Sequence, residues 1–281
     1  MIASIARLIC QALAIMGFLF LCRANAREIL TACSEDVGQG LVELVKRRAW
    51  KPAFYQATAI KNNGCTNLAG SQLVFAKGLI DNTQEVSDYF NVSLAQIASL
   101  AVAILNEHHQ PCLDNKCPIG RRAFFLLEGR AYQEEQNSKF AVKSFELGDA
   151  SSLAPEGEDN RRTLFAYARA LGESGRYESA NAVVNKLSSG FEDDVSVLGI
   201  KVFVDALEKN GKSTFLEFAR SKYGFVDLVE LNACEAEDVV NSLVEARACY
   251  SRLLDDGRFR NPALISYVKK KRAAVEWRIG H

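Results

Sequence analysis

Apolar residues along this chain recur every three or four positions rather than every second one, from about residue 36 to the carboxyl end. That spacing puts them on one face of a helix. Almost no run of four to eight residues alternates β-branched and polar side chains between turns, as a strand would. Pro52, Pro111, Pro118, Pro155 and Pro262 are expected between the periodic segments, where a residue lacking an amide hydrogen does a helix no harm. Ser93 followed by Gln96 is a capping box, and it opens a helix expected to run to Glu107. This stretch is apolar on nearly every face up to Asn106, so it is expected to be central and buried. Shorter amphipathic helices are expected near 36–49, 68–80 and 83–90. Residues 27–118 therefore read as an all-α subdomain.

The second half repeats itself. Within 122–153, Phe125, Gly129, Tyr132, Ala141, Phe145 and Gly148 recur at fixed offsets, and 161–190 repeats the scheme with Ala168, Leu171, Gly175, Tyr177, Ala180 and Val184. Small residues let two helices approach, and the large ones fill the space between them. A weaker unit spans 195–222, with Phe203 and Leu207 in its first helix and Gly211 at its turn; a degenerate one spans 242–275, turning at Gly257. The spacing resembles the tetratricopeptide repeat, a helix-turn-helix unit of about 34 residues. Ala141 and Ala180 are 39 residues apart, the surplus lying in the loop that begins at Pro155.

The resemblance covers roughly 120–275. It implies an all-α solenoid over 119–281, closed by a solvated carboxyl-terminal helix around Val268–Arg272. It also implies a concave groove, lined by the first helix of each repeat, that binds a peptide or partner helix. Carried onto this sequence by position, the groove residues are Arg130, Gln133 and Glu134, then Arg162, Arg169 and Glu173, then Lys201 and Asp205. Arg130 and Arg169 hold equivalent places one repeat apart, suited to gripping backbone carbonyls or an acidic side chain. The basic and amide pattern with which some cytosolic repeats hold chaperone tails is not matched.

The amino terminus adds a compartment. Arg7 precedes an apolar stretch from Leu8 to Cys22, broken only by Gln11, and Ala24 and Ala26 supply the small residues a signal peptidase fits. Residues 1–26 are thus expected to be a secretory signal, cleaved after Ala26. Fifteen apolar residues span about 22 Å as a helix, short of the ~30 Å of a bilayer core that an uncleaved anchor would have to cross. Leu19, Phe20 and Leu21 before Cys22 do not form a lipobox.

Six cysteines follow the signal, and an even number in an exported chain reads as three disulfides. Fifteen connectivities exist; the cysteines fall into neighbouring couples, which gives Cys33–Cys65, Cys112–Cys117 and Cys234–Cys249. The first staples the amino-terminal subdomain. The last is possible only if the chain breaks near Asn241, because one continuous helix would hold the two about 22 Å apart. Ser242 and Glu245 read as a capping box that starts the new helix. His108, His109, Cys112 and Cys117 also have the chemistry of a zinc or copper site, but their spacing fits no common finger and exported thiols oxidise, so no metal is expected.

Charge and motifs narrow the function. With 34 Lys and Arg against 34 Asp and Glu, the chain has no excess charge for binding phosphates, which excludes a strongly basic nucleic-acid binder. Asn210 to Thr214 lacks the first glycine of a phosphate loop, Ala206 standing in its place. No HExxH, CxxC or GxSxG occurs, and only three histidines are available as bases. Glu107, Glu128 and Glu173 are among many acids, none of them singled out for paired-carboxylate chemistry. Asn91 to Ser93 is a sequon that matters only in a eukaryotic secretory pathway. The expectation is an exported, periplasmic or secreted, non-catalytic scaffold without cofactor, holding a protein or peptide partner, with a bacterial envelope favoured. The competing readings are a cell-wall or polysaccharide hydrolase or its accessory, and a structural subunit that self-associates.

Overall fold

The computed structural model describes residues 33–189, 194–240 and 242–280. The expected signal segment, 1–26, lies outside them. The described residues are all-α, with fourteen α-helices, two short 3-10 turns and no strand. The chain divides into two compact units that meet at Gly78 and Leu79, about forty residues before the boundary expected at 118.

The first unit contains α1 (Glu35–Lys46), α2 (Trp50–Asn62), a 3-10 turn (Thr66–Leu68) and most of α3 (Ala69–Asp81). Leu41, Trp50, Ala53, Ile60, Leu73 and Phe75 form its buried interior, with the rings of Phe54 and Phe75 edge to face. A disulfide joins Cys33, just before α1, to Cys65, just after α2.

The second unit begins with α4 (Thr83–Phe90) and α5 (Leu94–Leu113). The capping box forms: Ser93 Oγ accepts from the Gln96 amide, and Gln96 Oε1 accepts from the Ser93 amide at 2.8 Å. Two expectations for α5 need correction. The helix continues past Glu107 and carries Pro111 inside its last turns. It is also open along Ala95, Ser99 and Ala103, because alanine counts as apolar in a pattern yet tolerates water. No single described helix is long and apolar enough to cross a membrane; α4 and α5 reach that length only together, bent by 113°. The bridge Cys112–Cys117 closes the loop that follows.

Then come α6 (Arg121–Glu134), α7 (Ser138–Leu147), α8 (Glu158–Glu173), α9 (Tyr177–Ser188), α10 (Val195–Glu208), α11 (Thr214–Tyr223), α12 (Asp227–Val239) and α13 (Leu243–Asp255). Each odd-numbered helix packs on the even-numbered one before it and on the one after it. The even-numbered helices α6, α8, α10 and α12 also pack on one another in order. Within the first pair, a Cβ on Gly129 would lie 2.6 Å from the Phe145 ring, so only glycine lets α6 and α7 come this close. Ala168, Leu171, Ala180 and Val184 do the equivalent work between α8 and α9, all fully or almost fully buried. Tyr132 instead stacks on Phe140 at the surface and donates to Asn106.

The last part of the chain departs from the expected register. The weak unit placed at 242–275 takes in only α13 and α14 (Pro262–Ile279), whereas α12, assigned to no repeat, packs on α10 as α10 does on α8. The break between α12 and α13 brings Cys234 and Cys249 to 5.4 Å between Cα atoms, bridged by a disulfide. Ser242 caps α13 by position, but its side chain makes no capping bond. Nor is α14 simply a solvated cap. Val268 and Val275 are fully buried, and Tyr267 donates to Glu235 on α12. Lys270 reaches α4, pairing with Asp88 at 2.7 Å and donating to Ser87 Oγ. The three disulfides point to folding in an oxidising, non-cytoplasmic compartment.

Candidate functional site

A cavity of about 400 Å³ opens in the second unit where the even-numbered helices stack side by side. α6 contributes Arg130, Gln133 and Glu134; α8 contributes Arg162, Phe165, Ala166 and Arg169. Ser196 and Ile200 come from α10, Leu228 and Asn232 from α12, and Ile80 and Asp81 from the end of α3. On each of the four helices these residues are spaced by three or four, so one face of each is presented to the cavity. Among the described residues, none of the intervening helices α7, α9, α11 and α13 lines it.

Charge is concentrated here and mostly paired. Arg130 donates to Asp81 at 2.6 Å. Arg169 donates to Glu235 on α12 at 2.6 Å and to Glu173 one turn along α8 at 3.3 Å, and its guanidinium lies 4.1 Å from the centre of the Phe203 ring. Gln133 Nε2 donates to Glu173 at 3.0 Å. Arg162 pairs with Glu158 at the outer edge. Lys271 of α14 adds a positive charge felt by Glu134, Glu173 and Glu235.

The carboxyls respond differently to these surroundings. Burial alone would raise Glu235, but Arg169, Lys271 and the Tyr267 hydroxyl outweigh it, and the group is held below its ordinary value. Glu173 is pushed up by burial, its single 3.3 Å contact with Arg169 being too weak to compensate. Burial also opposes the charge on Arg169, yet Glu235 and Glu173 keep it firmly protonated. Glu134 is the odd one out. It is exposed to the hollow of the cavity, yet the surrounding protein raises it above its ordinary value despite Lys271, Arg169 and Arg130 nearby. It has no hydrogen bond or ion pair among the described residues. Beside it Gln133, 7% exposed, keeps Oε1 without a donor.

Of the groove residues expected from the sequence, Arg130, Gln133, Glu134, Arg162 and Arg169 line this cavity, and Glu173 lies directly behind them. Lys201 and Asp205 do not. Lys201 sits one residue beyond Ile200, a 100° turn away, with its ammonium 4.2 Å from the centre of the Phe215 ring. Asp205 supports α11, accepting from the Thr214 amide at 2.8 Å and from Ser213 Oγ, and pairing with Lys209. The free gripping arginines envisaged at 130 and 169 are already neutralised by carboxylates of this chain.

Sequence reasoning missed Asp81, Phe165, Ile200, Asn232, Glu235, Tyr267 and Lys271. For α12 a signal existed: Leu228, Asn232 and Glu235 recur at helical spacing, but no small residue or turn glycine marked the segment as part of a repeat.

The region around His109 has a different geometry. Its Nδ1 lies 2.7 Å from Oε1 of fully buried Glu128, whose Oε2 accepts from Ser144. The serine faces the carboxylate and not the imidazole, so this is not the order of a nucleophile activated by a histidine base. Cys112 and Cys117 are oxidised to each other, and no three candidate metal ligands converge among the described residues.

Comparison with known proteins gives no match to a family model, a curated protein or a solved structure.

Proposed function

We propose that the chain is an exported, disulfide-bonded, non-catalytic adaptor that holds a protein or peptide partner in the hollow of a tetratricopeptide-like stack. The observation that carries this reading is the wall of the cavity: α6, α8, α10 and α12 line it, each with one face, while α7, α9, α11 and α13 between them contribute none of the described lining residues. That is the division of labour by which stacked helical pairs make a concave binding surface. The three disulfides support export, and the secretory-type amino terminus supports cleavage after Ala26 and a periplasmic or secreted location.

Reversing the charge of Arg130 and Arg169 would be a poor test, since it would also break their pairs with Asp81 and Glu235. Ala166 is half-buried in the cavity wall and carries no bond, so Ala166→Trp fills the hollow and spares the ion pairs. Lys143 on α7 is exposed and does not line the cavity, so Lys143→Trp is the control. In affinity capture from cells that make the protein, Ala166→Trp is expected to lose a discrete partner that the wild type and Lys143→Trp retain. Equal capture by all three would refute the groove.

A further inference from the structure

The cavity's charges do not balance. Arg130, Arg162, Arg169 and Lys271 face Asp81, Glu134, Glu173, Glu235 and, at the outer edge, Glu158, which leaves one carboxylate in excess. Every arginine has a carboxylate partner, and so do Asp81, Glu173 and Glu235. Lys271 is shared among three acids, and its ammonium rests over the Tyr267 ring rather than closing on any one of them. Glu134 is the charge left over, and Gln133 Oε1 in the same wall is an acceptor left without a donor. An acceptor as buried as Gln133 Oε1 is costly until a donor arrives, and Glu134 beside it supplies the charge to draw one in.

We infer that the cavity takes the basic side chain of a lysine or arginine from an extended peptide, its charged end on Glu134, with Gln133 Oε1 as second acceptor, and its aliphatic stem along Phe165 and Ile200. This rests on the groove reading above and names the chemistry of the partner. About 400 Å³ is at the small end of ligand pockets, right for one anchoring side chain and its adjoining backbone. An acidic anchor is disfavoured twice over. It would have to displace Asp81 from Arg130, Glu173 and Glu235 from Arg169, or Glu158 from Arg162, and it would add to a negative excess. A purely apolar anchor would fill the hollow but leave both acceptors unmet.

The test uses the full chain with its disulfides and a phage-displayed library of random dodecapeptides, selected on wild type, Glu134→Gln and Ala166→Trp. Circular dichroism and gel filtration confirm that each variant is folded. The wild type is expected to enrich peptides with a lysine or arginine at a fixed distance from an apolar residue. For a peptide so found, Glu134→Gln is expected to weaken binding about tenfold or more, as loss of a charge-assisted hydrogen bond would. Replacing the peptide's basic residue by norleucine should cost as much in the wild type and little further in Glu134→Gln. Peptides enriched without a basic preference, yet lost with Ala166→Trp, would overturn this inference and leave the groove standing. Enrichment indifferent to Ala166→Trp, or none at all, would overturn both.

Discussion

Between α6 and α7, and again between α8 and α9, the contacts are mainly apolar and interlocked: Phe145 over Gly129, Leu171 and Val184 among alanines, with the buried carboxylate of Glu128 satisfied by Ser144 and His109. On the opposite side of α6 and α8, facing the cavity, Arg130, Gln133, Glu134, Arg169 and Glu173 crowd together, joined by Glu235 from α12. The same helices thus carry two kinds of surface. One gains from removing hydrocarbon from water and depends on shape. The other gathers charges that stabilise the fold only as long as each has its partner. A chain selected for stability alone would have little use for the second face, which is why the binding chemistry is assigned there.

The largest expected effect is on the apolar face. Phe145 is fully buried, so Phe145→Ala leaves a cavity and should cost about 4 kcal/mol of stability in denaturant titration. A loss under 1 kcal/mol would mean that α6 and α7 are not interlocked in this way.

Next is the charged face. Arg169→Met keeps the packing over Phe203 but strands Glu235 and Glu173, and it should cost about 2 kcal/mol, less than a fully buried pair because Arg169 keeps some access to water. The combined change of Arg169→Met with Glu235→Met should be milder than the sum of the two single changes, since neither then strands the other.

The smallest effects have opposite signs and separate the two kinds of carboxyl. Glu235 is held below its ordinary 4.5, so its contribution is present above that value and is lost as pH falls through its lower folded value. Glu235→Gln should therefore destabilise the protein at pH 7, and the deficit should shrink on acidification. Glu134 is raised above 4.5, so the folded chain binds its proton more tightly than the unfolded one, and its contribution fades as pH rises through the folded value. Glu134→Gln should then be neutral near pH 4 and slightly more stable than wild type at pH 7, by ~2 °C in Tm. Thermal melts of both variants across about pH 3–7 check this. Parallel shifts would mean that the two groups share one environment.

The helical class was legible in the sequence because periodicity and the Ser93 capping box are local signals. The close packing at Gly129, Phe145, Ala168 and Ala180 was legible for the same reason: two helices that must approach closely need small residues at the contact. What was not legible depended on distant partners. Asp81 meets Arg130, and Lys270 meets Asp88 and Ser87, across separations that no spacing rule spans. α12 lacks a turn glycine and was passed over, although it supplies a wall of the cavity. The alanines of α5 were counted as core, yet Ala95 and Ala103 face water, since a methyl group reports burial poorly. At the candidate site, the residue types at Arg130, Gln133, Glu134 and Arg169 could be read in advance. Which of them had spare bonding capacity could not, because that turns on Glu235 and Tyr267 arriving from helices far along the chain.

The most direct test is photocrosslinking in the producing cells, with benzoylphenylalanine placed at Arg162, exposed at the outer edge of the cavity, or at Lys143 on the outer helix. A discrete adduct is expected from 162 and absent from 143, with the crosslink mapped to one short segment of the partner beside a basic residue. Adducts from 143 and none from 162 would put the working surface on the other side of the molecule and contradict the groove.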